Sequence, residues 1–191
     1  RSHSEHWTFD NVGLTLRPVQ QPPPPIWLAA DADPGVKRAA RLGDTWAVNP
    51  HAALPAIKRQ LGLYREELTA VGKPLPPEIP MRRELFIAPG NAQAWTEGQP
   101  FMDTKYSAYR QWGQDAALPQ DDHWADEFRE LAKDRFLIGD AAAVTDELQR
   151  YRDELPDVGT YIFRVQYPGM PQEMILRNIR LLAEQVRPHI R

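Results

Sequence analysis

The chain has 191 residues, 42% of them hydrophobic, a net charge of -3 and no cysteine. That length suits one domain with a real core. The composition excludes disulfides, thiolate metal sites and a cysteine nucleophile, and it offers no basic field for nucleic acid or an anionic membrane. No apolar run approaches the roughly 18 residues of a membrane span and no signal-peptide pattern opens the chain, so a soluble, cytoplasmic protein is expected. The first residue is Arg1 rather than Met, which suggests a processed product or a piece of a longer chain.

Residues 1–21 read as irregular or weakly extended, and Pro22–Pro25 form a stiff lead-in. Ile26–Ala30 is a short apolar run expected as a strand. Asp33 reads as an N-cap with Pro34 at the first helical position, Val36, Ala39, Ala40 and Leu42 as the buried stripe, and Gly43 as the stop. Thr45–Asn49 is the next strand, which makes one βαβ crossover, the unit of a parallel sheet. The second helix spans His51–Gly72, with Leu54, Ile57, Leu61, Tyr64 and Leu68 at spacings of three and four. Met81–Ala88 is the third strand.

Residues 89–135 are too long for a simple connection, so they read as an insertion and candidate lid. They contain predicted helices around Ala92–Trp112 and Trp124–Lys133. Asp140 is predicted to cap a helix striped by Val144, Leu148, Tyr151 and Leu155. Thr160–Gln166 is the fourth strand, and Gln172–Arg187 the last helix. Strands alternating with helices imply a parallel α/β architecture.

Four segments, Pro24–Ala30, Arg38–Trp46, Arg135–Asp140 and Arg164–Met170, together resemble the luciferase-like flavin-dependent oxidoreductases and monooxygenases. The resemblance implies a TIM-barrel type fold of which this chain is the C-terminal half. The four predicted strands would be strands five to eight, with residues 89–135 as a helical insertion after the third strand of this chain. Residues 1–191 are then a single, N-terminally incomplete domain. The family's chemistry implies reduced FMN or a deazaflavin coenzyme as redox cofactor and a small organic substrate. The alternative is a catalytically inert half-barrel or assembly module, whose open sheet edges would take a complementary N-terminal half or form a homo-oligomer.

Candidate site residues follow from the strand ends. The turn Ala30, Asp31, Ala32 to Gly35 opens a helix, and the resemblance implies that it touches the flavin phosphate; otherwise it is a capped tight turn. Asn49 and His51 follow the second strand; His51 is a candidate proton donor or an exposed first-turn residue. Arg164 and Gln166 share one face of the last strand, so Arg164 needs a carboxylate such as Glu84 or a ligand. Gly169 and Met170 turn at the same end as candidate cofactor contacts. Arg82 and Arg83 read as structural or solvated at the strand's start. In the insertion Tyr106 and Tyr109 are candidate lid residues, Trp112 a packing residue and Arg135 a mobile anion clamp. His3 and His6 lack a third ligand nearby, so no metal is expected.

Overall fold

The computed structural model describes residues 2–13 and 15–190. A two-residue antiparallel pair, β1 (Ser2–His3) with β2 (Thr8–Phe9), precedes the main sheet. The crossover expected from the sequence follows as β3 (Trp27–Ala30), α1 (Asp33–Leu42) and β4 (Thr45–Val48). α2 (Leu54–Ala70) leads to the nine-residue β5 (Ile79–Ile87). Then come α3 (Asn91–Gln111), the short α4 (Phe128–Ala132), β6 (Phe136–Gly139), α5 (Ala141–Glu154), β7 (Val158–Arg164) and α6 (Gln172–Leu181).

The main sheet is parallel throughout. β5 is its centre: Met81 bridges Val48 of β4 and Tyr161 of β7, and Glu84 bridges Phe136 of β6 and Arg164 of β7. A strand has two edges, so β7 occupies one edge while β4 and β6 share the other in succession. The four expected strands are present, and β6 is a fifth that the sequence reading left inside the end of the insertion and the cap of α5.

Local chemistry explains the helix ends. Asp140 accepts from the Ala143 amide at 3.0 Å and so caps α5 as expected. Asp33 does not cap α1: Ala32 holds that position and Asp33 is the first helical residue. Its carboxylate is turned instead to α2, where Arg59 donates twice at 2.9 Å and Gln60 once at 2.9 Å. The last carbonyls of α1 are satisfied from a distance, because the Lys73 ammonium donates to the oxygens of Ala40, Arg41 and Gly43. Gly72, at φ 69°, takes the left-handed conformation that ends α2.

One face of the sheet is dry. Val36, Ala39 and Ala40 of α1, Leu54, Ile57, Leu61 and Tyr64 of α2, and Val144, Leu148 and Tyr151 of α5 are buried. Each large apolar side chain removed from water contributes about 1.5–3 kcal/mol. The other face stays open near β3. There Trp27, Ala29, Ala47, Pro80, Arg82 and Ile162 line a shallow groove of about 300 Å³. Alternation along β3 shows this directly: Trp27 and Ala29 are exposed while Leu28 and Ala30 are covered. No helix among the described residues is long and apolar enough to cross a membrane.

Candidate active site

The parallel strands β4, β5 and β7 and the insertion helix α3 converge on one cavity of about 530 Å³. Asn49, Pro50 and His51 reach it from just beyond the C-terminal end of β4, and Arg82, Arg83 and Glu84 from β5. Ile162 to Gln166 come from the end of β7, and Lys105 and Tyr109 from α3. Strand ends of this polarity are where active sites sit in parallel α/β folds.

A polar chain runs along one side. Asn49 Nδ2 donates to Asp31 Oδ2 at 3.0 Å, and Asn49 Oδ1 accepts from Arg82 at 2.5 Å. His51 Nδ1 lies 3.7 Å from Asp31 Oδ1. The imidazole is boxed by the rings of Tyr106, Tyr109 and Trp124, with centroids 5.6–6.2 Å away. Burial holds its pKa below the usual 6.5, against the opposing pull of the Asp31 charge. His51 is therefore neutral at pH 7.

A buried ion pair forms another side. Lys105 of α3 is bonded to Glu84 Oε1, and the Tyr106 hydroxyl donates to the same oxygen at 3.2 Å. The ammonium also sits over the rings of Tyr106, Tyr109 and Tyr167 at 5.1–5.7 Å. Burial lowers the Lys105 pKa and the Glu84 carboxylate raises it back in part. Burial first, and the Glu84 charge second, push the Tyr106 and Tyr167 phenols well above 10, so both are neutral donors. Tyr167 uses its hydroxyl to join β5 to β7, accepting from the Leu85 amide at 3.0 Å and donating to the Arg164 carbonyl at 3.0 Å.

The expected residues divide clearly. Asn49, His51, Tyr109, Arg164 and Gln166 line the cavity. Tyr106 lies behind it, buried, and acts through Glu84. Arg164 forms no pair with Glu84, whose pairing partner is Lys105. Arg135 is not a mobile clamp. Its buried guanidinium donates to the carbonyls of His51, Leu131 and His123 at 2.8–3.1 Å and pairs with Asp122. It locks the loop around Asp122–Trp124 onto the β4 end, helped by Trp124 Nε1 on the His51 carbonyl.

The Ala30–Gly35 turn also departs from expectation. The Gly35 and Val36 amides are both spent on the Ala32 carbonyl, and Pro34 has no N–H. Few donors remain there for a phosphate. Gly35 serves packing instead: a Cβ on it would meet the Ala30 Cβ at 2.9 Å. Gly169, at φ 77°, makes the turn after β7, and Met170 is buried; neither reaches the cavity. Trp112, expected as a packing residue, leans on Tyr109 with ring centroids 5.7 Å apart but stays 68% exposed.

Arg82 and Arg83 were misplaced by the sequence reading. β5 starts at Ile79, so both are mid-strand and belong to the cavity lining rather than the bottom of the sheet. Arg82 is exposed on the open face, whereas Arg83 is fully buried with its guanidinium over the Tyr151 ring of α5, 5.4 Å from the centroid. The signal that could have found them is the charged triplet Arg82-Arg83-Glu84 inside an otherwise apolar strand.

A sheet-and-helix fold with its cavity at parallel strand ends defines an α/β protein of barrel type, and comparison with known proteins makes the class specific. The sequence profile of the luciferase-like monooxygenases matches residues 2–157, and the chain belongs to that family. It is 25% identical, over 97% of its length and 54% of the relative's, to the oxygenase component of a flavin-dependent trigonelline monooxygenase from Acinetobacter baylyi. Among solved structures, a monooxygenase from Streptomyces bottropensis matches with a TM-score of 0.71 at 25% identity, covering 92% of this chain and 51% of that one. A secondary alcohol dehydrogenase dependent on coenzyme F420 shares the fold with a TM-score of 0.69 at 16% identity, covering 100% of this chain and 55% of that one. The chain thus spans about half the length of the relatives it matches, in keeping with the partial barrel read from the sequence.

Proposed function

We propose that this chain forms the cofactor- and substrate-facing part of a flavin-dependent oxidoreductase or monooxygenase acting on a small organic substrate, with reduced FMN or a deazaflavin as redox cofactor. The cavity of about 530 Å³ at the ends of β4 and β7 and the middle of β5, which shares Arg82 and Ile162 with the lining of the open groove, carries this reading. The fit to a flavin rests on the groove. Its floor is made of Ala29, Ala47 and Pro80, whose short side chains leave room for a flat ring beside Trp27. The amides of Asn49 and Gln166 supply donors and acceptors at the cavity. The flavin, when bound, supplies the redox chemistry.

The chain's own residues supply position and protons. His51, whose pKa burial holds below 6.5, is the imidazole of the cavity and serves there as a proton acceptor. Arg164 meets the substrate. Residues 89–135 act as a lid: α3 contributes Lys105 and Tyr109 to one wall, and the Arg135–Asp122 pair holds its far loop. The second reading, a half-barrel module that needs a partner, draws on the open sheet face and the unpaired edge of β3, which a complementary N-terminal half or a second copy would cover.

Flavin fluorescence tests the first reading. The chain should quench FMN or the deazaflavin saturably, and Ala47→Phe, which fills the groove floor, should weaken that binding about tenfold or more. Quenching by neither cofactor, with the chain alone or joined by an N-terminal half, would sink it.

A further inference from the structure

Three cations are buried among the described residues, and two of them are paired: Lys105 with Glu84 and Arg135 with Asp122. The third, Arg83, is 0% exposed and has no carboxylate partner among the described residues. Its Nη1 donates only to the carbonyls of Asn49 and Arg82, at 3.2 and 3.3 Å. Its Nε and Nη2 meet no hydrogen-bond acceptor, and among the described residues the only other contact that offsets the charge is the Tyr151 ring face, 5.4 Å from the guanidinium. A buried guanidinium without a counter-charge is expensive, and this chain compensates its other two buried cations.

Arg83 does not stand alone. Arg82 spends a donor on the neutral Asn49 amide, and Arg164 stands exposed beyond it. All three line the same cavity, and none is ion-paired among the described residues. Glu84, the one carboxylate on that wall, is neutralised by Lys105. The remaining wall is apolar, from Pro50, Tyr109, Ile162, Phe163 and Val165. An inorganic anion has no use for such a wall, and the space of about 530 Å³ exceeds one.

We propose that the substrate is an organic acid whose carboxylate, or equivalent oxyanion, lies between Arg82 and Arg164, with the buried Arg83 adding its positive charge from within the sheet, while its carbon frame packs on the apolar wall. This rests on the reading above that the cavity is the redox site. Guanidinium donors in a fork match a planar oxyanion in charge and geometry. The free Glu84 Oε2 would accept from a hydroxyl or N–H on the same molecule.

Calorimetry with benzoate and benzamide as probes separates charge from shape. Benzoate should bind about tenfold tighter than benzamide or better, and Arg164→Gln should remove about tenfold to a hundredfold of benzoate affinity while leaving benzamide unchanged. Arg82 and Arg164 are both exposed, so either variant should fold, and Arg82→Gln should cost about as much as Arg164→Gln. Equal binding of the two probes overturns the proposal. The oxyanion could otherwise be the phosphate of the cofactor, so FMN and riboflavin are compared. Arg164→Gln should leave their affinity ratio unchanged, and benzoate should bind alongside FMN. Displacement of benzoate by FMN but not by riboflavin overturns the proposal. Benzoate binding through these arginines without any flavin quenching supports the oxyanion site and overturns the redox reading alone.

Discussion

Lys105 and Glu84 hold each other's charge in the driest part of the cavity, with side chains 4% and 0% exposed. Removing one partner strands the other. Lys105→Met should therefore lower the unfolding free energy by about 3–5 kcal/mol, and adding Glu84→Gln should restore much of it. Urea denaturation of the single and double variants checks this; a single variant as stable as the parent would show the pair to be dispensable. His51 carries a pH signature of opposite origin. Burial sets its folded pKa below 6.5. Above 6.5 both folded and unfolded imidazoles are neutral, so the site costs nothing. As the pH falls below 6.5 the unfolded chain takes the proton first, and stability is lost until the folded pKa is passed. The drop in urea midpoint between about pH 7.5 and about pH 5.5 should be smaller in His51→Gln than in the parent. An equal drop in both would mean that His51 titrates as it does in the unfolded chain.

Helix α3 brings Lys105 to Glu84, and its approach to the sheet is set by one glycine. A Cβ at Gly98 would meet the Phe86 ring at 2.6 Å. Gly98→Ala should thus push α3 off β5 and lower stability by about 1–3 kcal/mol through overpacking, and it should raise the exchange rate of α3 amides more than those of α5. If both helices kept the parent's exchange rates, the close approach would not be what seats α3. The alternation of apolar runs and helical stripes was legible from the sequence, because period and caps are local: β3, α1, β4, α2 and α5 fall within a few residues of expectation. β6 was not, since four apolar residues directly before a capping Asp140 lack the length to declare a period. The cavity was half legible. Asn49, His51, Arg164 and Gln166 follow from being at strand ends, which a βα pattern reveals. Lys105 on Glu84, twenty-one residues away, and Arg135 under His51 are pairings through space that no local pattern encodes. Starting β5 at Met81 instead of Ile79 was enough to turn Arg82 and Arg83 from a wall of the site into its base.

The molecule is stabilised from β5 outward, and this orders its parts by how easily they open. β5 has ladder partners on both edges, and all its residues but Arg82 are buried. Side chains from beyond the sheet also grip its backbone: the Leu85 amide donates to the Tyr167 hydroxyl and the Ile87 amide to Asn178 Oδ1, at 3.0 and 2.5 Å. β3 is the contrast. It is an edge of the sheet, pairs only with β4 among the described residues, and presents Trp27, 41% exposed, to the open face. Everything described before it, through Ile26, is exposed. Local opening follows burial and hydrogen-bond sharing. In native-state hydrogen exchange the Leu85 and Ile87 amides should therefore be among the slowest and track global unfolding, while β3 amides exchange through a smaller opening. Adding a complementary N-terminal half, or any partner that covers the open face, should slow β3 selectively and leave Leu85 and Ile87 limited by global unfolding. Uniform protection of β3 and β5 in the chain alone would mean that the β3 edge is already covered, by self-association or otherwise, and sedimentation of the same sample would identify which.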